Sequence, residues 1–206
     1  MMDLISAHRR ALAEALDSLT PEQWRGESLC AGWTPAHVLV HQTMPFRISG
    51  EEFMAGLRRS GGDFTTFSDQ IAARDSTLPP ASLIGSLRDN ADTPWSPPGG
   101  GLTGALSHDV IHGLDICSPL GIDYEIPPGA LTLVLDSLTS QGSHSLFGFP
   151  LAGISVTATD LGWCAGAGAE LAGRGRDLVA LLAGRQIPRE RFHGEGVSRS
   201  WPVTAR

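Results

Sequence analysis

Prolines stand where helices must begin in this sequence, and that placement directs the chain toward short, separately started helices. Thr20-Pro21-Glu22-Gln23 puts a hydroxyl at the cap, proline at the first helical position and an amide three residues after the cap. That pattern starts a short turn carrying Trp24. Thr34-Pro35 starts a longer helix through Val38, Leu39, His41, Phe46, Ile48, Phe53 and Leu57, with Pro45 expected to kink it or end its first half. Ahead of both, Leu4, Ala7, Ala11, Leu12, Ala15, Leu16 and Leu19 recur at three- and four-residue spacing, the mark of an amphipathic helix. Further helical stretches are expected near Phe67 to Ala73, Ala81 to Asn90 and Thr103 to Ile116, and Pro127-Pro128 opens another.

The character changes after Phe149-Pro150. The run from Gly153 to Thr159 alternates and is β-branched, so it reads as a strand. A second strand is expected near Ala169 to Ala172, with a short helix from Asp177 to Ala183 ended by Gly184. The expectation is a mainly α chain: a helical bundle over 1–149 and a small α+β module over 150–206. At 206 residues the chain is long enough for one well-buried domain with such an appendage.

Composition removes several function classes. The sequence contains no lysine, so Schiff-base and P-loop lysine chemistry are excluded. A net charge of −7 disfavours non-specific partners such as nucleic acid or an anionic membrane surface. The three cysteines form no Cys-x-x-Cys, which argues against a disulfide framework or a cysteine zinc site. Cys30 and Cys117 could flank a pocket but read as buried, inert thiols. With no charged-then-apolar leader and no apolar run of spanning length, a cytoplasmic location is expected.

The chemistry concentrates in His108-Asp109-Val110-Ile111-His112. On a helix, residues four apart share a face, so both imidazoles can reach one metal ion. Asp115, three residues further on, suits an outer role, accepting a ring proton from a ligand imidazole. An open site needs a third ligand, and His41, mid-helix among apolar residues, is the best donor. His37 could substitute but stands where a side chain can serve the helix start at Thr34. His8 reads as near an exposed face and, like His144 and His193, is set aside. The segment also resembles the metalloprotease motif with Asp in place of Glu, but no Met-turn follows. Gly-x-Ser-x-Gly is absent. Gly166-Ala167-Gly168 reads as a turn, and Gly173-Arg174-Gly175-Arg176 as a solvated loop.

Taken in order, Leu19 to Trp24, Ser28-Leu29-Cys30-Ala31-Gly32-Trp33-Thr34, His41, His108 to Asp115, Ala158 to Trp163 and Asp177 to Arg185 resemble the mycothiol-dependent maleylpyruvate isomerase family of the DinB-like superfamily. The resemblance implies a four-helix bundle with a divalent metal at one end, followed by a small α/β module. It implies His41, His108 and His112 as ligands, with His108 standing where the family has Glu. That change replaces an anionic oxygen by a neutral nitrogen and favours zinc, nickel, copper or iron over magnesium. The implied activity is metal-assisted use of mycothiol or a related thiol to isomerise, or transfer sulfur to, a small electrophilic substrate. Arg47 and Arg88 are the nearest arginines for cofactor sugars and substrate carboxylates. Two alternatives stay open: a thiol-independent metal hydrolase or lyase, and a non-catalytic small-molecule binding protein.

Overall fold

A computed structural model describes residues 1–141 and 144–200. The chain divides into two compact units, Met1–Glu125 and Ile126–Arg206. The first is helical throughout: α1 (Met2–Leu16), α2 (Pro21–Arg25), α3 (Pro35–Arg47), α4 (Gly50–Arg59), α5 (Phe64–Asp75), α6 (Pro80–Asp89) and α7 (Gly101–Cys117). Both Thr-Pro starts are capping boxes, Thr20 with Gln23 and Thr34 with His37.

Four of these helices close a ring, α1 against α6, α6 against α3, α3 against α7 and α7 against α1. The ring is the expected four-helix bundle. Its axis is filled by Leu12, Leu16, Val38, Leu39, Leu83, Leu87, Leu106 and Val110, all shut off from solvent. Each such side chain contributes about 1.5–3 kcal/mol by leaving water. Outside the ring, α5 packs on α3, and α4 packs on α5.

The long helix expected from Thr34 to Leu57 is two helices. Pro45 offers no N–H to the carbonyl of His41, and α3 runs only two residues beyond it. Ile48 is extended, and Ser49 then caps α4 by accepting from the Glu52 N–H.

The second unit contains α8 (Pro128–Thr139), β1 (Ile154–Ala158), β2 (Trp163–Gly166), β3 (Ala169–Gly173), α9 (Gly175–Leu182), β4 (Phe192–His193) and α10 (Gly196–Ser200). Its sheet has the order β2-β1-β3-β4, with β1 parallel to β3 and antiparallel to β2. Ala169–Gly173, where a second strand was expected, is thus a partner of Ile154–Ala158, while β2 and β4 are additions. Gly166 and Gly168 carry the chain from β2 beneath the start of β1 to β3, both at positive φ. A Cβ there would lie 2.4 Å from the Ile154 carbonyl oxygen and 2.0 Å from that of Gly153. No side chain fits.

α8 packs on α9 and β2, and the Trp163 indole donates to Asp136 at 2.8 Å. The compact units therefore part after Glu125, whereas the change of character in the sequence suggested a boundary at 149/150. Composition follows the type of secondary structure; the division follows which faces pack together. Among the described residues, no helix is long and apolar enough to cross a membrane.

Candidate metal centre

α7 presents His108 and His112 one turn apart, and the bundle sets His41 of α3 opposite them. Ring centroids are 5.2 Å apart for His41 and His108, and 4.8 Å for both His41–His112 and His108–His112. One nitrogen from each ring lies within 4.8 Å of the other two. Nitrogens bound tetrahedrally at about 2.0–2.1 Å stand about 3.3 Å apart, so small side-chain rotations close the triad on an ion.

The outer nitrogens decide which atoms face inward. Nδ1 of His41 is 2.7 Å from Ser68 Oγ, Nδ1 of His108 is 3.1 Å from Asp109 Oδ1, and Nδ1 of His112 is 2.9 Å from Asp115 Oδ2. An ionised carboxylate only accepts, so Nδ1 of His108 and of His112 carries the proton and Nε2 keeps its lone pair. Ligating histidines are oriented in this way, the outer partner raising ligand basicity. Burial lowers the His41 pKa to about 2, with the neighbouring His112 and His108 adding to the effect. A neutral imidazole is the form that can bind a metal.

Behind these partners stands a further layer. Asp109 accepts from Arg9 Nε at 2.7 Å, and neither residue is more than 1% exposed. Arg9 Nη1 donates to the carbonyls of Asn90 at 3.0 Å and Thr93 at 2.9 Å, and its guanidinium lies 5.0 Å from the centre of the Phe46 ring. Burial opposes the charge on Asp109, yet the bond from His108 and the charge of Arg9 hold its carboxyl below the ordinary value. Gln42 Nε2 also donates to the Asp109 carbonyl oxygen at 3.2 Å.

Asp115 is likewise tied twice. It accepts from Cys30 Sγ at 3.1 Å, and its carbonyl takes the Leu29 N–H at 3.0 Å. The Ser28–Thr34 loop is pinned to α7 by these bonds and brings the Trp33 ring 5.4 Å from that of His41. Cys30 is thus half-buried and engaged, and Cys117 is buried.

A cavity of about 370 Å³ opens beside His41 and His108, walled by Met44, Pro45, Phe53, Phe64, Trp95 and Pro97. Neither Arg47 nor Arg88 lines it. Arg47 holds α3 to α5, donating to Asp75 at 2.6 Å and to the Val40 carbonyl at 3.0 Å. Arg88 pairs with Asp17 at 2.5 Å on an exposed face. His37 serves the cap of α3, its Nδ1 3.3 Å from the Thr34 N–H. His8 is not near an exposed face: it is fully buried, 3.0 Å from the Tyr124 hydroxyl.

Sequence reasoning missed Asp109, Arg9, Ser68 and Trp95. The signal for Arg9 was present, since Ile5, Arg9, Leu12 and Leu16 share one buried stripe of α1. An arginine on that stripe demands a buried anion.

Residues 5–93 match the family described as mycothiol maleylpyruvate isomerase N-terminal domain. That span includes His41 and ends before His108. No curated protein matches the sequence. The fold is similar to that of the solved structure of the mycothiol-dependent maleylpyruvate isomerase, at 17% identity and a TM-score of 0.60, over 95% of this chain and 91% of that one. A histidine-to-alanine mutant of that enzyme aligns equally well. The chain thus resembles the mycothiol-dependent maleylpyruvate isomerase family, in sequence over residues 5–93 and in fold over nearly its whole length.

Proposed function

We propose that this protein is a metal-dependent enzyme that employs a low-molecular-weight thiol, mycothiol or a relative, to isomerise a small electrophile or transfer sulfur to it. One observation carries the reading. Three histidines on two helices have their Nδ1 atoms within hydrogen-bond distance of Ser68, Asp109 and Asp115, and one nitrogen of each ring lies within 4.8 Å of the other two, beside a cavity. The thiol comes from the description of the solved relative as mycothiol-dependent.

His41, His108 and His112 would hold the ion. Three neutral imidazoles suit zinc first, with nickel or iron next. When bound, a divalent ion supplies a Lewis-acidic position at which a coordinating thiol is held as thiolate.

The chain's own residues supply the rest. With His108 where the family has Glu, no ligand carries charge, and the negative charge moves one bond outward to Asp109 and Asp115. These carboxylates fix the tautomer and the ring planes. Trp33, Phe64 and Trp95 set their rings around the imidazoles, an apolar surround in which an electrostatic contact is stronger than in water.

Cobalt reconstitution of the purified full-length chain tests this reading. The expected result is one ion per chain and a change in visible absorption when mycothiol is added. Cobalt-loaded protein whose spectrum ignores the thiol would overturn it. Turnover in thiol-free buffer would instead favour metal-dependent hydrolysis or lyase chemistry, and thiol-insensitive ligand binding without turnover a binding protein.

A further inference from the structure

Residues 94–98, between α6 and α7, form a stiff strap beside the histidines. Pro94, Pro97 and Pro98 stand close together in it, and each fixes its own φ and holds the residue before it extended. Trp95 and Pro97 are half-buried, while Pro94, Ser96 and Pro98 are exposed, so one edge of the strap faces the bundle. The Trp95 ring lies 5.1 Å from that of His108, and the strap from Trp95 onward forms one wall of the cavity.

The two ends of the strap are fastened differently. At the far end Pro97 sits in a glycine notch where α7 begins. A Cβ on Gly100 would stand 2.9 Å from Pro97 Cγ, and one on Gly104 would stand 3.2 Å away. At the near end the Thr93 carbonyl accepts from Arg9 Nη1 at 2.9 Å, and the Asn90 carbonyl accepts from the same nitrogen at 3.0 Å.

Arg9 reaches the histidines by its other arm. Its Nε donates to Asp109 Oδ2 at 2.7 Å, and Asp109 Oδ1 is 3.1 Å from His108 Nδ1. A guanidinium is planar, so the direction of its bond to Asp109 fixes the direction of its bonds to the strap. An ammonium there keeps a charge beside Asp109 but presents no rigid fork.

We infer that Arg9 is a positioning residue for this site: acting through Asp109 and the Thr93 carbonyl, it sets the orientation of His108 and the seat of the strap together, so that a displacement of the strap reaches the metal ligand. The inference rests on the proposed reading of the triad as a metal centre, and every residue it uses lies in Met1–Glu125.

Two variants of the full-length chain test it from opposite ends. Pro97→Gly loosens the strap without touching the buried pair, and Arg9→Lys keeps the charge but removes the fork. The strap is read in metal-free protein from the fluorine NMR signal of fluorotryptophan at Trp95, assigned by its absence from Trp95→Phe. The ligand set is read as zinc affinity, in competition with a chromophoric chelator. Arg9→Lys is expected to move the Trp95 signal, although that residue is unaltered, and to weaken zinc affinity by about tenfold. Pro97→Gly is expected to move the signal and weaken zinc affinity by about threefold. The two losses should fail to add in the double variant, as for residues of one network. A route through the Trp95 ring alone would instead leave the loss from Pro97→Gly intact beside Arg9→Lys. Additive losses, or a Trp95 signal that Arg9→Lys leaves in place, would overturn the inference. So would unchanged zinc affinity in Pro97→Gly, a result that stands even where Arg9→Lys does not fold. Absence of zinc binding by the unaltered chain would overturn the reading of the triad, while the fluorine signal still decides the link between Arg9 and the strap.

Discussion

Asp115 and Asp109 look equivalent, since each fixes a ligand histidine, but they differ in what else depends on them. Asp109 also neutralises Arg9, and removing one partner of a fully buried pair costs about 3–5 kcal/mol. Asp115 accepts from His112 and Cys30, and its substitution leaves the Arg9–Asp109 pair in place. Asp115→Asn is expected to weaken zinc affinity by about 10–100-fold while leaving one ion per chain at saturation. His112→Ala should abolish stoichiometric binding, because two imidazoles make a poor site. Competition against a chromophoric chelator measures both, and unchanged affinity in Asp115→Asn would remove Asp115 from the metal centre. The spacing of His108, His112 and Asp115 is visible along one helix because all three share a face. His41, also named from the sequence, stood out only as a histidine among apolar neighbours. Ser68, Asp109's partner Arg9, and Trp95 reach the site from other elements, and no local period encodes that approach.

At the scale of elements, the helix starts were legible because capping chemistry is local: Thr20, Thr34 and their partners Gln23 and His37 lie within four residues. The break after Arg47 was only half legible, since Pro45 announced it but Ser49 completed it. Close helix approach is not written in periodicity at all. Gly113 lies mid-helix in α7, where alanine would ordinarily gain about 1 kcal/mol. A Cβ there would fall 2.3 Å from the Tyr124 hydroxyl and 3.2 Å from Leu12 Cδ2. Overpacking of this kind costs about 1–3 kcal/mol, and displacing Tyr124 also strips His8 of its 3.0 Å hydrogen bond. Gly113→Ala is therefore expected to lower stability despite its better helix propensity, read as a lower urea midpoint with unchanged slope. A raised midpoint would mean that α1 and α7 approach each other less closely than described.

For the molecule as a whole, buried titratable groups tie stability to pH. His8 is fully buried, and desolvation lowers its pKa from 6.5 to about 4, the Asp109 charge opposing and the Arg9 charge assisting. The unfolded chain takes up that proton first, near pH 6.5, while the folded chain stays neutral. Stability is therefore complete above pH 6.5 and falls as the pH drops toward 4, by about 2 kcal/mol between pH 7 and 5 for this group. His8→Gln should flatten the pH dependence of the urea midpoint over that interval without abolishing it, because His41 shifts in the same direction. An undiminished slope would mean that His8 is hydrated in the folded protein. The division into two units makes a second statement at this scale. The triad, Ser68, Asp109, Asp115, Arg9 and the whole cavity lining belong to Met1–Glu125. The helices of that unit close a ring with its own apolar axis, so residues 1–125 should fold as a fragment with more helix per residue than the full chain. The fragment should also bind one zinc ion with affinity within about tenfold of the intact protein, since no proposed ligand or outer partner is removed. Circular dichroism establishes that the fragment is folded, and chelator competition gives the affinity. A folded fragment that fails to hold zinc would mean that residues beyond Glu125 complete the centre, and the three-histidine assignment would then need a fourth protein ligand.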